Sequence, residues 1–101
     1  METTNLAELY DLEPVPWSRA LEALSGKQVG NGTSFLATTR PDGRPHLAGV
    51  GAIWAEDRIW IVSGAGTRKS RNLAANPACS IGMSFKGMDL VIEGRAERVT
   101  D

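Results

Sequence analysis

The sequence predicts a small all-β domain of antiparallel strands carrying two short helices. Three observations lead there. Segments rich in β-forming residues recur along the chain, and the later ones alternate apolar and polar positions. Eleven Gly and five Pro among 101 residues supply the turns that short strands need. Three of the connections are turns of two or three residues, too short for the crossover that parallel strands require.

Taken in order, an acidic tail over residues 1–15 precedes the domain, which is read as 16–101. Pro16 to Leu24 is a helix candidate: Pro suits a first turn, and Trp17, Ala20, Leu21 and Leu24 fall on one face. Gly30-Asn31-Gly32 is a loop, and Thr33 to Arg40 reads as the first strand. Pro41-Asp42-Gly43 is a hairpin turn, with Pro presetting φ and Gly accepting a positive φ. The second strand, Arg44 to Ala55, is long and holds Gly49 and Gly51 in its middle, which predicts a bend or a close approach to the backbone.

Glu56-Asp57 turns into a third strand, Arg58 to Gly64, so that three successive strands form a meander. Thr67 caps a helix from Arg68 to Ala75, which Asn76-Pro77 stops. Ala78 to Lys86 alternates, with Cys79, Ile81, Met83 and Phe85 on the inward face. After Gly87-Met88-Asp89, Leu90 to Thr100 forms the fifth strand, with Leu90, Ile92, Gly94 and Ala96 inward. Five strands and two helices point to an antiparallel barrel.

Composition narrows the function classes. A net charge of -1 lacks the basic excess that general nucleic-acid or membrane binding requires. One Cys and one His exclude a disulfide scaffold and a structural zinc site. No basic leader opens the chain, and no apolar run approaches the ~18 residues of a membrane span, so the expectation is a cytoplasmic protein.

The chemistry concentrates in Ser63-Gly64-Ala65-Gly66-Thr67-Arg68-Lys69-Ser70-Arg71-Asn72. A Gly-containing loop opens a helix whose first turn presents free N–H groups, a capping hydroxyl and two consecutive cations. Cations there oppose the helix dipole by about 0.3–1 kcal/mol each, and a bound anion such as phosphate removes the conflict. A solvated basic helix face, with Arg71 balanced by outside carboxylates, is the competing reading. The loop matches neither the P-loop nor the dinucleotide fingerprint. His46, on the second strand, has no neighbouring nucleophile or acid and reads as a surface or rim residue. Cys79 and the three tryptophans, Trp17, Trp54 and Trp60, read as packing residues. A phosphate grip without an acid, base or nucleophile suits a protein whose cofactor carries the reactive group.

Three runs together resemble a known family: Phe35-Leu36-Ala37-Thr38-Thr39-Arg40-Pro41-Asp42-Gly43-Arg44-Pro45, Thr67-Arg68-Lys69-Ser70-Arg71-Asn72-Leu73-Ala74-Ala75-Asn76-Pro77, and Val91-Ile92-Glu93-Gly94-Arg95-Ala96-Glu97-Arg98-Val99. They look like the pyridoxamine 5'-phosphate oxidase-like proteins. The resemblance implies an antiparallel split β-barrel of Greek-key type that binds FMN or coenzyme F420. It implies that Thr67, Arg68 and Lys69 hold the cofactor's phosphate, that Gly49, Val50 and Gly51 lie along its ring, and that Val62 and Ser63 line the same site. Asn72, one helical turn away, is a further cofactor-binding candidate. It also implies homodimers with the cofactor at the interface.

Two departures follow from the same comparison. Members that oxidise pyridoxamine phosphate carry a Lys on the second strand; Ala52 stands there, which speaks against that activity. Members continue past the last run into a helix and a further strand, so a domain truncated near Asp101 is an expectation. The implied function is hydride transfer between FMN or F420 and a small organic substrate, with F420 slightly favoured. The alternative is a non-catalytic carrier or sensor of flavin, deazaflavin or heme on the same fold.

Overall fold

The computed structural model describes residues 13–26 and 34–99; the Gly30-Asn31-Gly32 loop and most of the acidic tail lie outside them. Helix α1, Trp17–Ser25, begins one residue later than the sequence pattern predicts, because Pro16 holds the extended backbone of a cap position (φ -68, ψ 147). Its Ala20 and Leu24 are buried as their spacing requires. Arg19 reaches back with its guanidinium toward the Lys86 carbonyl at 3.4 Å.

Strand β1 (Ser34–Thr39) buries Ser34, Leu36 and Thr38 and exposes Phe35, the two-residue alternation of a sheet with one covered face. It pairs antiparallel with β2 (Pro45–Val50), from Ser34↔Val50 to Thr39↔Pro45. The turn between them is the expected one. Gly43 has φ +90, its N–H donates to the Arg40 carbonyl at 2.9 Å, and Arg40 N–H donates to the Arg44 carbonyl at 2.9 Å. This is a three-residue loop whose last residue must be left-handed, where glycine carries no Cβ penalty.

The single long strand expected over residues 44–55 is two strands. β2 stops at Val50, and after Gly51 the chain starts β3 (Ala52–Ala55), which pairs with β4 (Arg58–Ile61) in a separate sheet. The bend anticipated from the glycines therefore falls at Gly51. It also removes the three-stranded meander, since β4 pairs with β3 and has no ladder with β2. The third strand ends at Ile61, short of the expected Gly64.

Helix α2 (Arg68–Ala75) has the predicted limits, with Thr67 as its cap. β5 (Ala78–Phe85) and β6 (Met88–Arg95) form a hairpin over the full register from Ala78↔Arg95 to Phe85↔Met88. β6 starts and ends earlier than expected, because Lys86 and Gly87 (φ +75) already complete the turn. Gly94, expected inward, is exposed.

The larger sheet has the order β2-β1-β5-β6, all antiparallel. Its covered face carries Leu36, Val50, Ile81 and Met83, which pack with Leu24 of α1 as the buried core; Trp17, Trp54 and Leu73 close over it. Each fully buried aliphatic side chain contributes roughly 1.5–3 kcal/mol, so this small cluster anchors both helices. The strands of the expected split barrel lie in two sheets among the described residues, with no closed sheet. β3 and β4, four residues each, make no ladder with either edge strand, β2 or β6. What stands is a mostly antiparallel β structure with two helices. Among the described residues no helix is long and apolar enough to cross a membrane.

Candidate functional site

The break at Gly51 and the end of β4 meet at one corner of the molecule. Ala52 pairs with Ile61, so Gly51 and Val62 flank the same end of the β3–β4 ladder. From Val62 the chain runs through Ser63-Gly64-Ala65-Gly66 straight into α2, which packs on β1 and β2. Residues far apart in sequence are thereby gathered by two connections. Gly49 is exposed on the face of β2 opposite the core, Val50 points inward and is buried, and a Cβ at Gly51 would meet nothing within 4 Å. Val62, in the loop rather than on a strand, is 97% exposed. Gly49, Gly51 and Val62 are thus the exposed residues of this corner.

The loop is organised by hydroxyls. Ser63 Oγ lies 3.0 Å from Thr67 Oγ1 and 2.6 Å from Ser70 Oγ. Thr67 Oγ1 donates to the Gly64 carbonyl at 2.8 Å and accepts the Ser70 N–H at 3.3 Å, the bond of an N-cap. The proton of Thr67 is therefore spent on Gly64, and Ser63 and Ser70 are tied to each other. Ser70 was not legible as part of this cluster except through its spacing, three residues after the cap.

Arg71 N–H donates to the Thr67 carbonyl at 3.0 Å, and Ser70 N–H goes to the Thr67 side chain. That leaves the amides of Arg68 and Lys69 facing out of the first turn, as helix geometry dictates. Their side chains are half-buried and form no ion pair among the described residues, where the two salt bridges are Arg44–Asp42 at 2.8 Å and Arg58–Glu97 at 3.7 Å. Two free N–H groups, two uncompensated cations and the positive end of a helix fit an anion of phosphate type. This donor set contains no group that would oppose it.

Asn72 sits differently from the other candidates. It is 0% exposed, and its Nδ2 donates to Thr38 Oγ1 at 3.0 Å, so the side chain fastens α2 to β1 from beneath. His46 is half-buried on the covered face of β2, directly across from Thr38. Cys79 is half-buried, and burial pushes its thiol above the ordinary value of 9.0. Trp54 packs on the core, and Trp60 donates its indole N–H to the Ala55 carbonyl at 2.9 Å, in keeping with packing roles.

Comparison with known proteins identifies the family. The family model described as pyridoxamine 5'-phosphate oxidase matches residues 23–101. No curated protein matches the chain. Among solved structures, an F420 reductase superposes with a TM-score of 0.63 at 26% identity, covering 69% of this chain and 58% of its own. A conserved hypothetical protein from Mycobacterium tuberculosis gives 0.66 at 27% identity, covering 86% of this chain and 54% of its own. A pyridoxamine 5'-phosphate oxidase-related, FMN-binding protein from Nostoc punctiforme gives 0.64 at 20% identity, with 80% and 47% covered, a likeness of fold alone. This chain thus spans about half the length of these structures.

Proposed function

The chain belongs to the pyridoxamine 5'-phosphate oxidase family, and from that premise we propose that it binds FMN or coenzyme F420 and serves hydride transfer to or from a small organic substrate. The observation that carries this reading is the first turn of α2, where Thr67 caps the helix and the amides and side chains of Arg68 and Lys69 lack a carboxylate among the described residues. In this reading they hold the phosphate. Ser63 and Ser70 fix the loop that leads to them.

Gly49, Val50, Gly51, Val62 and Ser63 are assigned to the ring of the cofactor. The open space above Gly51, where a Cβ would meet no atom within 4 Å beyond its chain neighbours, supports this by leaving room for a planar ring. Asn72 is assigned to the site through the seat of α2, since its side chain is fully buried and bonded to Thr38. The cofactor, when bound, supplies the hydride chemistry; the chain binds the phosphate, orients the ring and covers one of its faces. Ala52 in place of a lysine argues for a substrate other than pyridoxamine phosphate. The family resemblance and the exposed Phe35, Leu47 and Val91 on the outer sheet face support a homodimer with the cofactor at the interface.

The test is direct titration. The protein is mixed with FMN, riboflavin and F420 in turn, and flavin or deazaflavin fluorescence is followed. Binding of FMN well above riboflavin supports the phosphate grip; binding of neither FMN nor F420 rejects the reading.

A further inference from the structure

Among the described residues three buried side-chain polar atoms have no hydrogen-bond partner: Arg40 Nε, His46 Nδ1 and Asn72 Oδ1. All three lie around Thr38. Asn72 donates to Thr38 Oγ1 at 3.0 Å, His46 is the cross-strand partner of Thr38, and Arg40, two residues after Thr38, continues the β1–β2 pairing through its N–H to the Arg44 carbonyl at 2.9 Å. Opposed side chains on one sheet face stand about 4.5–5.5 Å apart at Cβ, and diagonal neighbours about 7–8 Å, within reach of long side chains.

The three atoms are chemically complementary. A guanidinium Nε only donates, an imidazole Nδ1 can donate, and an amide oxygen accepts through two lone pairs. Two donors and one double acceptor therefore satisfy one another. Buried polar groups are paired in all but a few cases, so three orphans around one threonine call for a shared cause.

We propose that Asn72 Oδ1 accepts from both His46 Nδ1–H and Arg40 Nε–H, closing a polar node that seats α2 on the β1–β2 hairpin. Asn72 lies one helical turn beyond Arg68, so the node fixes the position of the turn that carries the two cations. His46 and Arg40 are positioning residues that act through Asn72. Their effect on the cofactor rests on the phosphate reading given above; the node itself does not.

His46 is the single histidine of the sequence, so its ring nitrogens are identified in a 15N spectrum of the full chain without assignment. At pH 9, where an imidazole is uncharged, the expected form is the Nδ1–H tautomer. An Nε2–H tautomer overturns the node. A second arm compares His46→Asn, whose amide N–H replaces Nδ1–H, with His46→Gln, whose N–H stands where Nε2 was. FMN affinity is expected to fall about tenfold in His46→Gln and to stay within about threefold in His46→Asn, with riboflavin affinity unchanged in both. Equal FMN affinities in the two variants overturn the positioning role. If the unaltered protein prefers FMN no more than riboflavin, the phosphate reading fails, and the tautomer alone decides the node.

Discussion

Asn72 of α2 donates to Thr38 of β1 at 3.0 Å, and both side chains are buried. The bond joins residues 34 apart in sequence and fixes the helix to the hairpin below it. Removing one partner strands the other in a dry place. Asn72→Ala and Thr38→Val are each expected to cost about 1–3 kcal/mol in urea unfolding, and the double variant less than the sum. Strict additivity would show that the two groups do not interact.

Arg68 and Lys69 contribute charge to the first turn without a compensating carboxylate among the described residues. Replacing both by Ala is expected to weaken FMN binding by about 10- to 100-fold, the worth of lost charge-assisted hydrogen bonds. Riboflavin binding should be unaffected. The variant should also be no less stable to heat, because removing cations from a helix N-terminus relieves the dipole conflict. Unchanged FMN affinity would reject the phosphate assignment.

The β3–β4 turn is a place to gain stability. Glu56 (φ 55) and Asp57 (φ 57) both hold left-handed backbone in a two-residue hairpin loop closed by Ala55↔Arg58. This is the type I′ geometry that Asn-Gly adopts with little strain. The Glu56→Asn, Asp57→Gly double variant is expected to gain about 1 kcal/mol, read as a raised Tm. A lowered Tm would contradict the turn assignment.

Asp42 accepts from Arg44 N–H at 3.1 Å and from Arg44 Nε–H at 2.8 Å, and these bonds hold its carboxyl below the ordinary value of 3.8. The folded state therefore binds this proton less readily than the unfolded chain does. The resulting stabilisation is present above the unfolded value and is lost as pH falls through the lowered folded one. Asp42→Asn should lose less stability than the unaltered protein when pH is taken from about 5 to about 2, by a small margin because the pair is exposed. Parallel acid curves would count against the interaction.

Local chemistry was legible where one short-range rule decided the outcome. Pro41-Asp42-Gly43 reads as a hairpin turn, and Gly43 takes the positive φ that the turn needs. Thr67 and Asn76-Pro77 bracket α2 because capping and stop signals act within one helical turn. β4 ends before its sequence pattern does, because β propensity continues through Val62 and Ser63 while the ladder that would extend it has no partner beyond Ala52↔Ile61.

The sequence by itself determined the Pro41-Asp42-Gly43 and Glu56-Asp57 turns, the limits of α2, the alternation of β5, and the cations placed at a capped helix start. Each depends on residues within a few positions of one another. Only the tertiary structure decided that the chain changes sheets at Gly51, that Val62 comes beside it, and that Thr38 is bonded to Asn72 of α2 and stands across from His46. Those contacts follow from strand register and from the burial of one sheet face, which depend on the whole chain packing at once.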